Sequence, residues 1–453
     1  MGNVTSKVTQ PRRLGRAAWQ LGPVVVAACL AAPEPVVSEG RPTVDWPIYG
    51  GSALGDRYST LAQINPATTA RLAEAWRVEL GPGDLQCSPL VVDGTLFGYT
   101  PTRQVIAVDA SSGARKWLWD SGVPSRQPAR GLAYWREGGE RRLFVTGAYK
   151  YLYALDPETG APIPGFGHGG RVDVTAALGG GDPPIALTSP PAVYRGLVIV
   201  GFRTTESEGA AAGAIQAFDA RSGQLRWIFH TLPREGEFGA ETWPKGGRHQ
   251  QGGANAWAGL TVDPERGIVF APTGSATPDF VGKGRAGDNL FASTLLALDA
   301  ATGKRIWHFQ VVRHDIFDRD LASPPTMVTV RRGGRPVDAV AQPTKHGFLF
   351  LFERATGRPL FPIRERAAPG SDVPGETTAP RQPAPKRPAP FARQYFTAEM
   401  LTRRTPEAYA LASAAYRQLR SQGPFTPMTA SGGTLVFPGF DGGAESLATT
   451  LTF

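Results

Sequence analysis

The sequence predicts an all-β protein, a β-propeller of four-stranded blades, and three observations carry that expectation. A phrase of the form apolar-x-Ala-apolar-Asp-x-x-(Ser/Thr)-Gly recurs along the chain, closed in its fullest copies by a tryptophan. Strand-like runs bounded by turn residues fill the intervals, about four strands to each. Glycine (55), proline (41) and tryptophan (10) are abundant, a mixture that suits turn-rich sheets better than helix bundles.

Residues 1–32 read as an export signal. Arg12, Arg13 and Arg16 precede the apolar run AAWQLGPVVVAACLAA. That run is too short, and too broken by Gly22-Pro23, to read as a membrane span. Val26-Ala27-Ala28-Cys29 fits a lipoprotein site that would lipidate Cys29, whereas cleavage near Ala31-Ala32 would leave a soluble periplasmic protein. Cys87 is the other cysteine, so no disulfide framework is expected, and without a C-x-x-C-H motif the chain carries no c-type haem of its own.

The propeller domain is expected over residues 45–453. Full copies of the repeat are VIAVDASSGARKW (Asp109, Gly113, Trp117), IQAFDARSGQLRW (Asp219, Gly223, Trp227) and LLALDAATGKRIW (Asp299, Gly303, Trp307). Weaker copies are LYALDPETGAPIPGF (Asp156, Gly160) and FLFLFERATGRPLF (Glu353, Gly357). In each, a strand ends at the acid, D-x-x-(S/T)-G turns the chain, and the tryptophan of the next strand packs against a neighbouring unit. Residues 364–393 are proline-rich and are expected to form a surface connection with no core strand. TPEAYALASAAYRQLRS then reads as a short helix, and GTLVFPGFDGGAE as a final strand and turn.

The net charge of +9 comes from scattered arginines, with no aromatic-interleaved patch or basic helical stripe, which excludes nucleic-acid binding as the leading reading. Chemistry is concentrated instead between residues 295 and 345. The loop RHDIFDRD holds His314, Asp315, Asp318 and Asp320, and Lys345 stands just before the apolar strand FLFLF. A positioned carboxylate can take a proton from a hydroxyl, and a fixed ammonium can hold developing negative charge. On the residues alone, Asp318 reads more readily as a turn carboxylate beside Arg319 than as a base.

The ordered phrases DWPIYGGSALGDRYSTLAQI, SPLVVDGTLF, ARGLAYW, GGANAW, TPDF…AGDNL, WHFQVVRHDIFDRDLASPPT, SDVPGE and FPGFDGGAE cover most of the chain. Together they resemble the pyrroloquinoline quinone (PQQ)-dependent dehydrogenases, in particular the glucose-dehydrogenase-like branch. The resemblance implies an eight-bladed propeller with PQQ and Ca2+ on its axis. It further implies oxidation of a sugar or alcohol by hydride transfer to PQQ, with electrons passed to a quinone or cytochrome. By the same resemblance Asp318 matches the catalytic base and Lys345 the cation at the quinone oxygens. Trp257 matches the platform under the cofactor, while Arg130, Thr188 and Gln86 match further PQQ contacts. Glu206 falls where the family places an acidic calcium ligand, with Asp318 adjoining the metal. The family's asparagine in that site is replaced by Ser275, a weaker ligand.

The paired cysteines of the methanol-oxidising branch are absent, which disfavours that branch. After Glu445 the family pattern continues into further blades, whereas this chain reads SLATTLTF, so five to six blades and a fragment with impaired activity are expected. The rival reading is a non-enzymatic exported propeller that binds protein partners. The basic charge is compatible with peripheral association at an anionic membrane face.

Overall fold

The computed structural model describes residues 44–125, 127–179, 183–245, 251–440 and 442–445. The signal segment, Cys29 and the residues after Glu445 lie outside them. Among the described residues are four four-stranded antiparallel sheets and one three-stranded sheet, each in simple up-and-down order. Sheet 1 comprises Leu90–Val92, Thr95–Tyr99, Val105–Asp109 and Arg115–Trp119. Sheet 2 comprises Ala133–Glu137, Glu140–Ala148, Tyr151–Leu155 and Arg171–Asp173. Sheet 3 comprises Ala192–Tyr194, Leu197–Val200, Ala214–Asp219 and Leu225–His230. Sheet 4 comprises Thr261–Asp263, Ile268–Pro272, Thr294–Asp299 and Arg305–Gln310. Sheet 5 has Thr326–Arg332, Arg335–Pro343 and Leu349–Glu353.

The first strands of sheets 2 to 5 neighbour one another in turn, and Ser88 bridges in parallel to Gly131 at the step from sheet 1 to sheet 2. Successive sheets therefore converge on their first strands, which is how propeller blades are arranged. The free edges of the innermost strands are partly covered by the N-terminal stretch. Trp46 exchanges backbone hydrogen bonds with Val91 of sheet 1 (2.7 and 3.0 Å), and the Leu54 carbonyl accepts from Met327 N of sheet 5 at 2.7 Å. A sheet edge left bare would present unpaired donors and acceptors.

The repeat works as its spacing predicts. The Asp109 carboxylate accepts the Ser111 and Ser112 amides at 3.1 and 3.0 Å, and Asp156, Asp219 and Asp299 repeat this cap. The tryptophan of one sheet then docks on the turn of the next. Indole N–H groups donate from Trp117 to the Pro157 carbonyl (3.1 Å), from Trp227 to Ala300 (3.1 Å) and from Trp307 to Arg354 (2.8 Å). Trp76, not singled out in the repeat, makes the same bond to Ala110 at 3.1 Å. The turn glycine is obligatory there. At Gly303 φ is +71°, and an added Cβ would lie 2.5 Å from the Trp227 ring. Sheet 2 has no such tryptophan. There the Gly167 amide donates to the Ser222 carbonyl at 2.9 Å, so backbone replaces the indole.

The proline-rich segment departs from expectation. Ile363–Ala367 pairs with Arg381–Pro385, and Gln382 and Ala384 of the second strand are buried. Prolines fit because the ribbon has only two strands, and because Pro383 and Pro385 occupy alternate positions, where an antiparallel N–H can point away from the partner. Gln382 further acts as a strand mimic, exchanging side-chain hydrogen bonds with the Arg313 backbone at 2.9 and 2.8 Å. The expected helix forms at Pro406–Gln418, capped by Thr405.

Replacing Trp227 by alanine is expected to cost ~3–5 kcal/mol, and by phenylalanine ~1–2 kcal/mol, because the second change removes the hydrogen bond but keeps the ring. Urea unfolding midpoints of the purified variants measure both, and equal losses would contradict the separate contribution of the indole N–H.

Candidate active site

In an up-and-down sheet, the connections between strands two and three emerge at the same end as those leading to the next sheet. Glu206, Ser275 and Lys345 sit on the former in sheets 3, 4 and 5, and Arg130, Trp257 and Asp318 on the latter. The D-x-x-(S/T)-G turns lie at the opposite end. One end of the array is thus structural, and the other gathers side chains from far-separated parts of the chain. They meet around a cavity of about 530 Å³ lined by Gln86, Arg130, Glu206, Trp257, Ser275, Asp318 and Lys345 among others. Of the residues expected at the site, Thr188 alone does not line it. It is fully buried, with its carbonyl accepting from Arg130 N at 3.2 Å.

The three aspartates of RHDIFDRD have separate tasks. Asp315 is fully buried and accepts from Phe317 N (2.9 Å), Arg319 N (3.0 Å), Ser293 Oγ (2.7 Å) and Ser275 Oγ (3.0 Å). It organises the loop. Asp320 accepts from the Trp257 indole at 2.7 Å, and from Ser275 N and Oγ at 2.6 Å each. Asp318, at φ +53°, meets Lys345 Nζ at 3.1 Å. Among the described residues Lys345 is the one hydrogen-bond partner of its carboxylate, so Asp318 is the aspartate left available for chemistry. The backbone strain at this position is held by the anchored residues on both sides.

The electrostatics follow from burying this much negative charge. Burial, and then the neighbouring Asp320, push Asp318 up to about 7, with Lys345 pulling the other way. Burial lowers Lys345, but Asp320, Asp318 and Glu445 outweigh it and hold the ammonium above the usual lysine range. Glu445 Oε1 lies 3.5 Å from Lys345 Nζ. Asp279, which sequence reasoning did not single out, also lines the cavity, is buried, and accepts no hydrogen bond among the described residues. Burial and the surrounding Asp320, Asp318, Glu206 and Asp315 push it up to about 9.

The residues fit an anionic, flat quinone. Arg130 is buried with its guanidinium 4.9 Å from the Trp257 ring centre, and its Nε and Nη1 lack hydrogen-bond partners, as does Thr277 Oγ1. Buried donors left unsatisfied in a cavity wall are what such a ligand would complete. For a hard cation the donor chemistry is right, with the oxygens of Glu206, Asp279 and Asp318 around one space. Their spacing is open, since among the described residues no three acidic, His or Cys groups stand close enough to hold a metal. Glu206 is held by Arg203 at 2.7 Å, and Ser275 Oγ is engaged by two aspartates.

In the metal-free chain the unfolding free energy is expected to fall as pH rises. Asp318 and Asp279 have folded values above their unfolded ones, so their contribution is full below about pH 4 and is lost as pH climbs through about 7 and about 9. Between pH 7 and 9 the slope should approach ~1.4 kcal/mol per pH unit from Asp279 alone. Asp279→Asn or added calcium should flatten it in urea titrations, and a flat wild-type profile would refute the buried-charge account.

Comparison with known proteins agrees with this geometry. The family model described as PQQ: Glucose/ethanol/alcohol dehydrogenase, beta-propeller domain, matches residues 46–451. The chain is 30% identical over 429 residues to the glycerol dehydrogenase large subunit of Gluconobacter thailandicus, covering 88% of this chain and 57% of that protein. It is 30% identical over 447 residues to the quinate/shikimate dehydrogenase (quinone) of Acinetobacter baylyi, covering 90% and 54%. Among solved structures, the quinohemoprotein alcohol dehydrogenase from Comamonas testosteroni superposes with a TM-score of 0.62 at 27% identity, covering 74% of this chain and 52% of that one. The chain thus spans just over half the length of these curated relatives. With the tandem sheets, the axial cavity and this match along its length, the chain belongs to the PQQ-dependent dehydrogenase β-propeller family.

Proposed function

We propose that this chain oxidises a CH–OH group of a sugar or alcohol, with Asp318 as base. The observation that carries the reading is the pair of half-buried Asp318 and buried Lys345, placed in one cavity with the unsatisfied Arg130 donors and the Trp257 ring. Bound PQQ would supply the two-electron acceptor for the carbinol hydride. Asp318 takes the hydroxyl proton, for which its carboxylate must be ionised and within reach of the substrate oxygen. Lys345, kept protonated by its three acidic neighbours, holds negative charge as it develops beside it. Arg130 and Thr277 bind and orient the cofactor, and Trp257 supports its flat face. Gln86, on the cavity wall, offers an amide to the same ligand, while the Thr188 carbonyl accepts from the Arg130 amide.

Calcium belongs to the same proposal. Glu206, Asp318 and the newly placed Asp279 would supply its oxygen donors, Glu206 now being paired with Arg203. Ser275 contributes through the aspartates it ties together. The electron acceptor is taken to be a quinone or cytochrome, and the name of the Acinetobacter relative supports a quinone. The reading of residues 1–32 as an export signal supports a periplasmic location, with Cys29 as a lipid anchor or part of a cleaved leader. A protein-binding scaffold would gain nothing from an acid–lysine pair with orphaned donors around it.

Purified chain should bind PQQ with calcium and reduce a dye with glucose or simple alcohols as donors. Asp318→Asn should lower kcat ~10²–10⁴-fold while leaving PQQ affinity within a few-fold. Absence of PQQ binding by the folded chain, followed by absorbance, would sink the reading.

A further inference from the structure

The mouth of the cavity carries a feature that neither acid–base chemistry nor cofactor binding uses. Phe280 and Phe440 line it, and they meet edge to face with ring centres 5.0 Å apart. They come from separate loops, one within sheet 4 and one near the end of the described chain, so the pair bridges two sides of the opening. Both remain more than one-third exposed, at 38% and 37%. Exposed phenylalanines that pack chiefly on each other do little for a core, yet both are rigidly mounted. Arg319, between the two cavity aspartates and itself buried, donates to the carbonyls of Pro438 (2.9 Å) and Gly439 (3.0 Å), just before Phe440. On the other side, Arg285 donates to the Pro278 carbonyl at 3.1 Å, and Gly282 N to Glu376 at 2.7 Å, flanking Phe280.

The rest of the wall is polar. Apart from Trp257 and Pro128, the lining is made of hydrogen-bonding and charged groups, with Gln127, Arg203 and Asn255 among them. An alkyl chain would find no continuous apolar surface there. A small acyclic polyol has no face broad enough to cover two rings. A ring that carries hydroxyls around its edge and C–H groups on its face matches both halves of the wall, because polarised C–H groups are drawn to the electron-rich face of an aromatic ring.

We propose that Phe280 and Phe440 form an aromatic strap that selects a cyclic polyol as the substrate, seating its C–H face on the rings and its hydroxyls on the polar wall. This rests on the dehydrogenase reading for turnover, though not for binding. The test uses the full chain loaded with PQQ and calcium, with glucose, glycerol and 1-butanol as donors. Wild type should show a kcat/KM for glucose at least tenfold above that for 1-butanol. Phe280→Ala and Phe440→Ala should each raise KM for glucose five- to twentyfold, at least fivefold more than for glycerol, with kcat falling less than KM rises. Phe280→Leu and Phe440→Leu, which keep the apolar bulk without the ring face, should give intermediate values and guard against misfolding of the alanine variants. Preference for 1-butanol, or equal shifts for glucose and glycerol, would overturn the strap. If the chain turns nothing over, saturation-transfer NMR with glucose decides separately. Transfer from aromatic protons to the sugar ring, lost in the double alanine variant, supports the strap even if the redox reading fails, and no transfer overturns it.

Discussion

The indole N–H that crosses from Trp117, Trp227 and Trp307 to the turn of the next sheet sets the spacing of most of the array. Sheets in this chain are joined by long connections, and such connections alone would leave their relative rotation loose. A tryptophan lying on a glycine and bonded to the carbonyl of the turn defines distance and angle together, as at Trp227 and Gly303. Because the docking sits at one end of the sheets, the connections at the other end are free to vary. Arg130, Trp257, Ser275, Asp318 and Lys345 can therefore come from five different connections and still share one cavity.

That cavity concentrates carboxylates beyond what its cations neutralise. Asp315 and Asp320 tolerate burial because each collects several hydrogen-bond donors. Asp318 is paired with a single lysine, and Asp279 has no donor among the described residues, so these two bear the cost of the shared field. A buried charge without compensation shifts towards neutrality or recruits a counter-ion. Asp318 and Asp279 are accordingly held towards their neutral forms.

Legibility in the sequence followed locality. The capped turn and its tryptophan were readable because Asp109, Gly113 and Trp117 act within a dozen residues, and their spacing is itself the structure. The ribbon at residues 363–385 was misread because proline content says nothing about which face of a strand each proline occupies. Within RHDIFDRD, composition could not separate Asp315, Asp318 and Asp320, since their partners arrive from distant loops. Asp279 was invisible for the same reason, as its character comes from its burial and from Asp320 and Asp318 rather than from TPDF. Thr188 was placed by motif on the site, yet it is fully buried and does not line the cavity.

Arg319 shows how these levels are joined. It stands between Asp318 and Asp320, the aspartate that holds Trp257, and it is almost fully buried, with its guanidinium bonded to the carbonyls of Pro424, Pro438 and Gly439. Burial and its donors make it a rigid link between the loop that carries Asp318 and the turn that carries Phe440. A second tie runs from Gly443 N to the Lys345 carbonyl at 2.7 Å. Asp318, Lys345 and the aromatic edge of the cavity are therefore tied together by hydrogen bonds to the backbone. In such a site, reshaping the mouth without disturbing the acid–lysine pair requires changing the phenylalanine rings themselves, because any change to the backbone beneath them is transmitted to Asp318 and Lys345.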